Sequence, residues 1–168
     1  LSTIIRRETP EDIDKIDEVI ASAFTNVANS DQTEQLIVKA LRDSDALSVS
    51  LVAEDSEQII GHVALSPVAI SDQSIQWYGL GPIAVAPKKQ RKGVGSKLMY
   101  EAIAALRALE ANGCVLLGDP AYYHRFGFAP VDNLVLTGVP PEYFLARSFV
   151  DAFAQGEVSY HEAFFAKH

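Results

Sequence analysis

The chain is nearly free of sulfur, with one cysteine and one methionine in 168 residues. A lone cysteine, Cys114, excludes an internal disulfide framework and a thiolate zinc site, so no metal is expected and a reducing compartment is. Positive charge is also scarce. Fourteen Lys and Arg face 22 Asp and Glu, a net charge of -8. That balance argues against general affinity for nucleic acid or an anionic membrane. Long apolar runs are missing too: none approaches the roughly 18 residues that cross a bilayer. The opening stretch LSTIIRRETPED lacks the apolar core of a signal peptide. A cytoplasmic location is the default expectation. No repeat, low-complexity tract or linker interrupts the chain, so one domain over residues 1–168 is expected. Apolar residues make up 48%, enough for a sizeable core.

Periodicity then sets the elements. STIIRRE reads as a strand, and Thr9, Pro10, Glu11 and Asp12 read as the start of a helix that turns Ile13, Ile16, Val19, Ile20 and Phe24 to one face. A second helix is expected over about Thr33 to Asp43, with Leu36, Ile37, Ala40 and Leu41 inward. Leu47–Asp55 and Ile59–Ile70 read as a hairpin, and Ile75–Pro87 as a third strand. The clearest helix runs from Gly93 to about Asn112, ended by Asn112 and Gly113. The apolar run CVLLG reads as a buried parallel strand, and Asp119 and Pro120 open a short helix. Further strands are expected near Leu134–Leu136, Phe144–Ala146 and Glu157–Tyr160. The order β-α-α-β-β-β-α-β-α-β predicts an α/β (mixed α+β) sheet, antiparallel at first and locally parallel in the middle.

One stretch runs against the acidic composition. In PKKQRKGVGSKLM, four of the five residues from Lys88 to Lys92 are basic, and Gly93 and Gly95 follow at a helix start. A helix N-terminus has unpartnered amides and partial positive charge, so it can hold an anion. The spacing is wrong for a P-loop and for the dinucleotide fingerprint G-x-G-x-x-G. Upstream, Gly79, Gly81 and Pro82 interrupt a strand, which predicts a bulge or splay. Beyond it, the backbone at Ile83, Ala84 and Val85 is free to pair with an extended ligand as a strand would. Each half alone also suits an ordinary edge strand or a solvated basic loop. Together, a ladder for an amide-bearing chain leading into a phosphate cradle fits coenzyme A.

VAPKKQRKGVGSKLM resembles the acetyl-CoA-binding motif of the Gcn5-related N-acetyltransferases (GNAT), whose core [QR]-x-x-G-x-[GA] falls here on Gln90, Gly93 and Gly95. YYHRFGF resembles their second signature, with Tyr123 four residues before Gly127 and Phe128. The order of elements matches from Ile4 to Val131, and the wording of GHVALSPV, GLGPIAV and LLGDPAYYHRFGF is similar to a bacterial subgroup of uncharacterised acetyltransferases. The resemblance implies a central mixed, mostly antiparallel sheet with a splayed strand pair, flanked by helices. It also implies transfer of an acetyl group from acetyl-CoA to an amine by direct attack. Gln90, Arg91, Lys92, Gly93, Val94, Gly95 and Ser96 would then meet phosphate mainly through the backbone, with Lys88 and Lys89 as an outer positive field.

Tyr123 is the expected partner of the leaving thiolate, by hydrogen bond or proton. The general base is open. The splayed strand has no carboxylate, and His62, on a neighbouring strand, has a suitable ordinary pKa, although a lone histidine among apolar residues also suits a core position. Asp119 reads as a helix cap, His124 as exposed, and Cys114 as a buried inert thiol. The missing carboxylate keeps a second reading alive, a non-catalytic acetyl-CoA or CoA sensor or partner module. The acceptor, a small molecule or a peptide amine, is expected to meet the N-terminal helices, the TNVANSDQT loop and the segment TGVPPEYFLARSF. The same segment is also a candidate homodimer contact.

Overall fold

The computed structural model describes residues 2–28 and 30–168. Leu1, the first residue of the stretch read for a signal peptide, and Asn29, inside the expected acceptor loop, lie outside them.

The strands are β1 (Ile4–Arg7), β2 (Val49–Asp55), β3 (Gln58–Ile70), β4 (Trp77–Val85), β5 (Gly113–Leu117), β6 (Leu134–Val135), β7 (Phe144–Ser148) and β8 (Gly156–Tyr160). The helices are α1 (Ile13–Phe24), α2 (Glu34–Asp43), α3 (Val94–Ala108) and the single turn α4 (Pro120–Tyr123). The main sheet runs β1-β2-β3-β4-β5-β7, and β8 pairs with the far end of β3 and with β6. Every pairing is antiparallel except β4–β5 and the short β6–β8. The mixed, mostly antiparallel sheet read from the sequence is the one observed.

Strand alternation sorts side chains to the two faces. Leu51, Val63, Leu65, Leu80 and Leu116 pack with Val94, Leu98, Met99, Ala102 and Leu106 of α3. Val52, Ala64 and Ala84 pack with Ile16, Val19 and Ile20 of α1 on the opposite face. Each fully buried Leu or Ile in these layers contributes about 1.5–3 kcal/mol over exposure. On α2 the buried positions are Val38 and Leu41. Val38 was not among the residues expected inward, whereas Leu36 was and is only half-buried. Leu41 packs with Ala46 and Ala163, which ties α2 to the C-terminal turn.

Two termini differ from expectation. A 3₁₀ turn, Pro10–Asp12, precedes α1, and Asp12 accepts from the Thr9 amide at 2.7 Å and from Arg6 at 2.7 and 3.0 Å. Helix α3 stops at Ala108 rather than near Asn112. Glu110 takes a left-handed φ of 59°, and the Ala111 amide bonds back to the Leu106 carbonyl. Asn112 instead anchors the start of β4: its amide bonds Gln76 O and its side chain bonds Ile75 O.

Candidate active site

The break in β4 lies where glycine and proline place it. β5 pairs with β4 only over Trp77, Tyr78 and Gly79, and the two strands then part. On the other edge, β3 pairs with Leu80 and again with Ile83, leaving Gly81 and Pro82 opposite Ala64 alone. This two-against-one bulge turns β4 away from β5. Past the bulge the Ala86 amide bonds Ile60 O at 2.8 Å. Hydrogen-bonded and non-bonded pairs alternate in an antiparallel ladder. Ala84, opposite His62, therefore spends its amide and carbonyl on β3. Ile83 presents both of its groups to the gap and Val85 its amide, the Val85 carbonyl being taken by Gln90. The expected trio divides: Ile83 and Val85 face the splay, and Ala84 is buried under α1.

At the end of β4 the chain turns through Pro87–Lys89 into α3. The Gln90 side chain donates to Val85 O at 3.0 Å and fixes the turn to the strand. Gly93 sits at the N-cap with φ 86°, in the left-handed region that favours glycine, and nothing lies within 4 Å of where its Cβ would be. Lys97 is the first residue whose amide bonds back, to Gly93 O at 3.1 Å. The amides of Val94, Gly95 and Ser96 precede it and have no helical carbonyl behind them. Arg91 and Lys92 are exposed beside this cradle. The Lys89 ammonium lies 3.7 Å from Asp55 Oδ2, which offsets part of its charge in the outer field. Tyr122 also comes close: its hydroxyl lies against Gly95, its ring capped by the Arg125 guanidinium at 4.5 Å.

The gap opens into a cavity of about 360 Å³. Leu80, Gly81, Pro82 and Ile83 line it from β4, Leu116 and Leu117 from β5, and Tyr123 from α4. Phe24, Glu34 and Ile37 line it from α1 and α2, with Tyr160 and Phe164 from the C-terminal segment. Tyr123 packs with the α3 face and Phe24 with the α1 face, so the cavity joins both sides of the sheet through the splay.

Tyr123 is held from several directions. Asp119 caps α4 through the Ala121 amide at 2.9 Å, as expected. Phe126 and Phe128 are buried beneath it, and the Tyr123 ring lies so close over Gly118 that a Cβ there would overlap it. Burial, and secondarily the neighbouring Tyr122, raises the Tyr123 pKa, which keeps the hydroxyl protonated and able to donate. His124 is exposed, as expected.

Glu34 is the residue that sequence reading missed. It opens α2, and both carboxylate oxygens accept from Ser30 Oγ, at 2.9 and 2.8 Å. Among the described residues it is the one carboxylate lining the cavity.

His62 does not line the cavity. It is fully buried, and its Nε2 lies 2.7 Å from Ser50 Oγ, away from the cavity. Ser50 donates its hydrogen to Glu8, which also receives two bonds from Arg42. Nε2 must therefore carry the proton, leaving Nδ1 a buried acceptor without a protein partner among the described residues. The set contains a serine, a histidine and a glutamate, but the carboxylate holds the serine and not the histidine, which is the wrong order for a nucleophilic triad. Burial drives the His62 pKa down to about 4, against a smaller opposing pull from Glu8. A folded pKa below the unfolded 6.5 gives stability that is present above pH 6.5 and lost as pH falls toward 4. The loss amounts to roughly 3 kcal/mol. His62→Asn is expected to flatten the melting temperature against pH between 6.5 and 4. An unchanged slope would show that His62 does not set it.

Cys114 is fully buried and its thiol pKa is raised by burial, which leaves no accessible nucleophile there. No group of His, Cys, Asp or Glu among the described residues is arranged to hold a metal. No helix among them is long and apolar enough to cross a membrane.

Comparison with known proteins follows the same geometry. A family model described as an acetyltransferase (GNAT) domain matches residues 4–131. The uncharacterized N-acetyltransferase YhbS of Escherichia coli K12 is 36% identical, the match covering 96% of this chain and 98% of that protein. A GNAT family acetyltransferase from Brucella melitensis, solved in complex with acetyl-CoA, superposes with a TM-score of 0.87 at 46% identity, covering 96% of this chain and 97% of that one. The E. coli YhbS structure, solved with CoA, gives a TM-score of 0.90 at 35% identity, covering 99% and 93%. The bulged β4, the glycine-capped start of α3 and the tyrosine at the splay thus sit in a chain that belongs to the GNAT family of acetyltransferases.

Proposed function

We propose that this chain transfers the acetyl group of acetyl-CoA to a primary amine by direct attack, with Glu34 as general base and Tyr123 at the leaving sulfur. The observation that carries the reading is the cavity through the splay, with Tyr123 on one wall and Glu34 on another.

The residues fit the co-substrate piece by piece. The outward backbone of Ile83 and Val85 suits the pantetheine amides. The first-turn amides of α3, opened by Gly93, suit the pyrophosphate. Bound there, acetyl-CoA supplies an activated acyl group. Glu34 takes the proton that an ammonium acceptor must lose before its nitrogen can attack. A β4 amide near Ile83 holds the carbonyl oxygen as negative charge grows on it. Tyr123 donates a hydrogen bond to the departing sulfur. Its raised pKa makes full proton transfer less favourable than hydrogen bonding, so hydrogen bonding is the larger part.

The alternative of a non-catalytic coenzyme-binding module drew its support from the absence of a carboxylate on β4. Glu34 supplies one from α2, which favours the enzyme. Tyr123→Phe tests the reading. It keeps the ring over Gly118 and deletes one charge-assisted hydrogen bond. The expected result is a kcat lowered about 10- to 100-fold, with the acetyl-CoA Kd by calorimetry unchanged. Full turnover in that variant would remove Tyr123 from the chemistry.

A further inference from the structure

The cavity does not end at the cavity mouth. A second hollow, of about 490 Å³, shares Leu117, Tyr160 and Phe164 with it and continues past Leu136, Val158 and Phe165. The shared residues make the two one continuous trough, leading outward from Glu34. Beside Thr137, Glu157 and Ser159, its walls carry apolar groups left in water: Leu117 is 49% exposed and Phe165 is 76% exposed. Large apolar side chains exposed side by side mark a surface made to be covered. Carboxylates line it in two places. Glu34 is the carboxylate in the cavity, and the carboxylate along the trough, Glu157, is already held by the Thr137 hydroxyl.

We propose that the acceptor is a primary amine at the end of an elongated apolar body, an alkyl or arylalkyl amine, with its nitrogen at Glu34 and its body along the trough from Leu117 to Phe165. The proposal rests on the acetyl-transfer reading above and adds the class of acceptor. Charge complementarity places the ammonium at Glu34, and the continuity of the trough places the body. A lysine in a peptide would bring its flanking amides there. Those amides would lose hydration against the apolar Leu117, Leu136 and Phe165.

The test follows CoA release at saturating acetyl-CoA with n-butylamine, n-hexylamine, n-octylamine, spermidine and a capped lysine peptide, alongside calorimetry of acetyl-CoA binding. The expected result is a kcat/KM that rises about three- to fourfold per added methylene until the trough is filled. Octylamine should exceed both spermidine and the peptide. Phe165→Ser, in the outer trough, should remove most of the octylamine advantage over butylamine. A flat chain-length series, or preference for spermidine or the peptide, would overturn the apolar acceptor and leave acetyl transfer standing. Acetyl-CoA binding with no turnover of any amine would overturn both. Sedimentation supplies the remaining arm: a wild-type dimer that Phe165→Ser converts to monomer, with no chain-length effect, would assign this surface to a second copy of the chain instead.

Discussion

Gly93→Asp is expected to fold and to lose acetyl-CoA binding by at least about 100-fold. Gly93 adopts φ 86°, a conformation that Asp and Asn tolerate better than other side chains, and its Cβ position is open for 4 Å around. The substitution therefore adds no clash. It adds a negative charge at the positive end of α3, where the amides of Val94, Gly95 and Ser96 are to meet a pyrophosphate. Gly93→Asn separates the two effects, since it has nearly the same shape and no charge. It should bind within about tenfold of wild type, the backbone cost of a non-glycine residue being on the order of 1 kcal/mol. Equal losses in both variants, measured by calorimetry, would put the effect on the backbone and not on charge. Normal binding by Gly93→Asp would move the cradle elsewhere.

Glu34→Gln carries the second large effect. The glutamine keeps the length of the side chain and an oxygen that can accept from Ser30 Oγ, so α2 should start unchanged. What it loses is the ability to take a proton. General base catalysis contributes about 10²- to 10⁴-fold, and kcat should fall by that factor with the acetyl-CoA Kd unaltered. A fall of less than about tenfold would mean that another group, or solvent, deprotonates the acceptor. Normal acetyl-CoA affinity in the variant is the control that the coenzyme side of the splay is intact.

The parts of the site built from one continuous segment were legible in the sequence. Gly79, Gly81 and Pro82 weaken a strand wherever they occur together, and β5 leaves β4 after Gly79. Gln90, Gly93 and Gly95 describe a helix start, and Gln90 and Gly93 take up those jobs within a few residues of one another. Tyr123, Gly127 and Phe128 form one local turn, in which Gly127 takes φ 86° and Phe128 is buried. Within Ile83, Ala84 and Val85, the period of two turns the Ala84 backbone toward β3.

The parts built from distant segments were not legible. Glu34 reaches the cavity because α2 packs on the C-terminal turn through Leu41 and Ala163, a contact no local pattern encodes. The pairing of Lys89 with Asp55 depends on the β3–β4 register, which brings the end of β4 back beside the start of β3. His62 resembled a base because its surroundings were unknown. Ser50, Glu8 and Arg42 come to it from three separate segments and close it off from the splay.

In the proposed complex, acetyl-CoA runs through the splay between β4 and β5, from the α3 cradle to the Glu34 cavity. A crystal structure of the wild-type chain with acetyl-CoA tests it most directly. The expected complex has the pyrophosphate on the amides of Val94, Gly95 and Ser96, the pantetheine along Ile83 and Val85, and the sulfur within hydrogen-bond reach of the Tyr123 hydroxyl. A pyrophosphate bound away from α3, or a thioester outside the cavity that Tyr123 and Glu34 share, would contradict it.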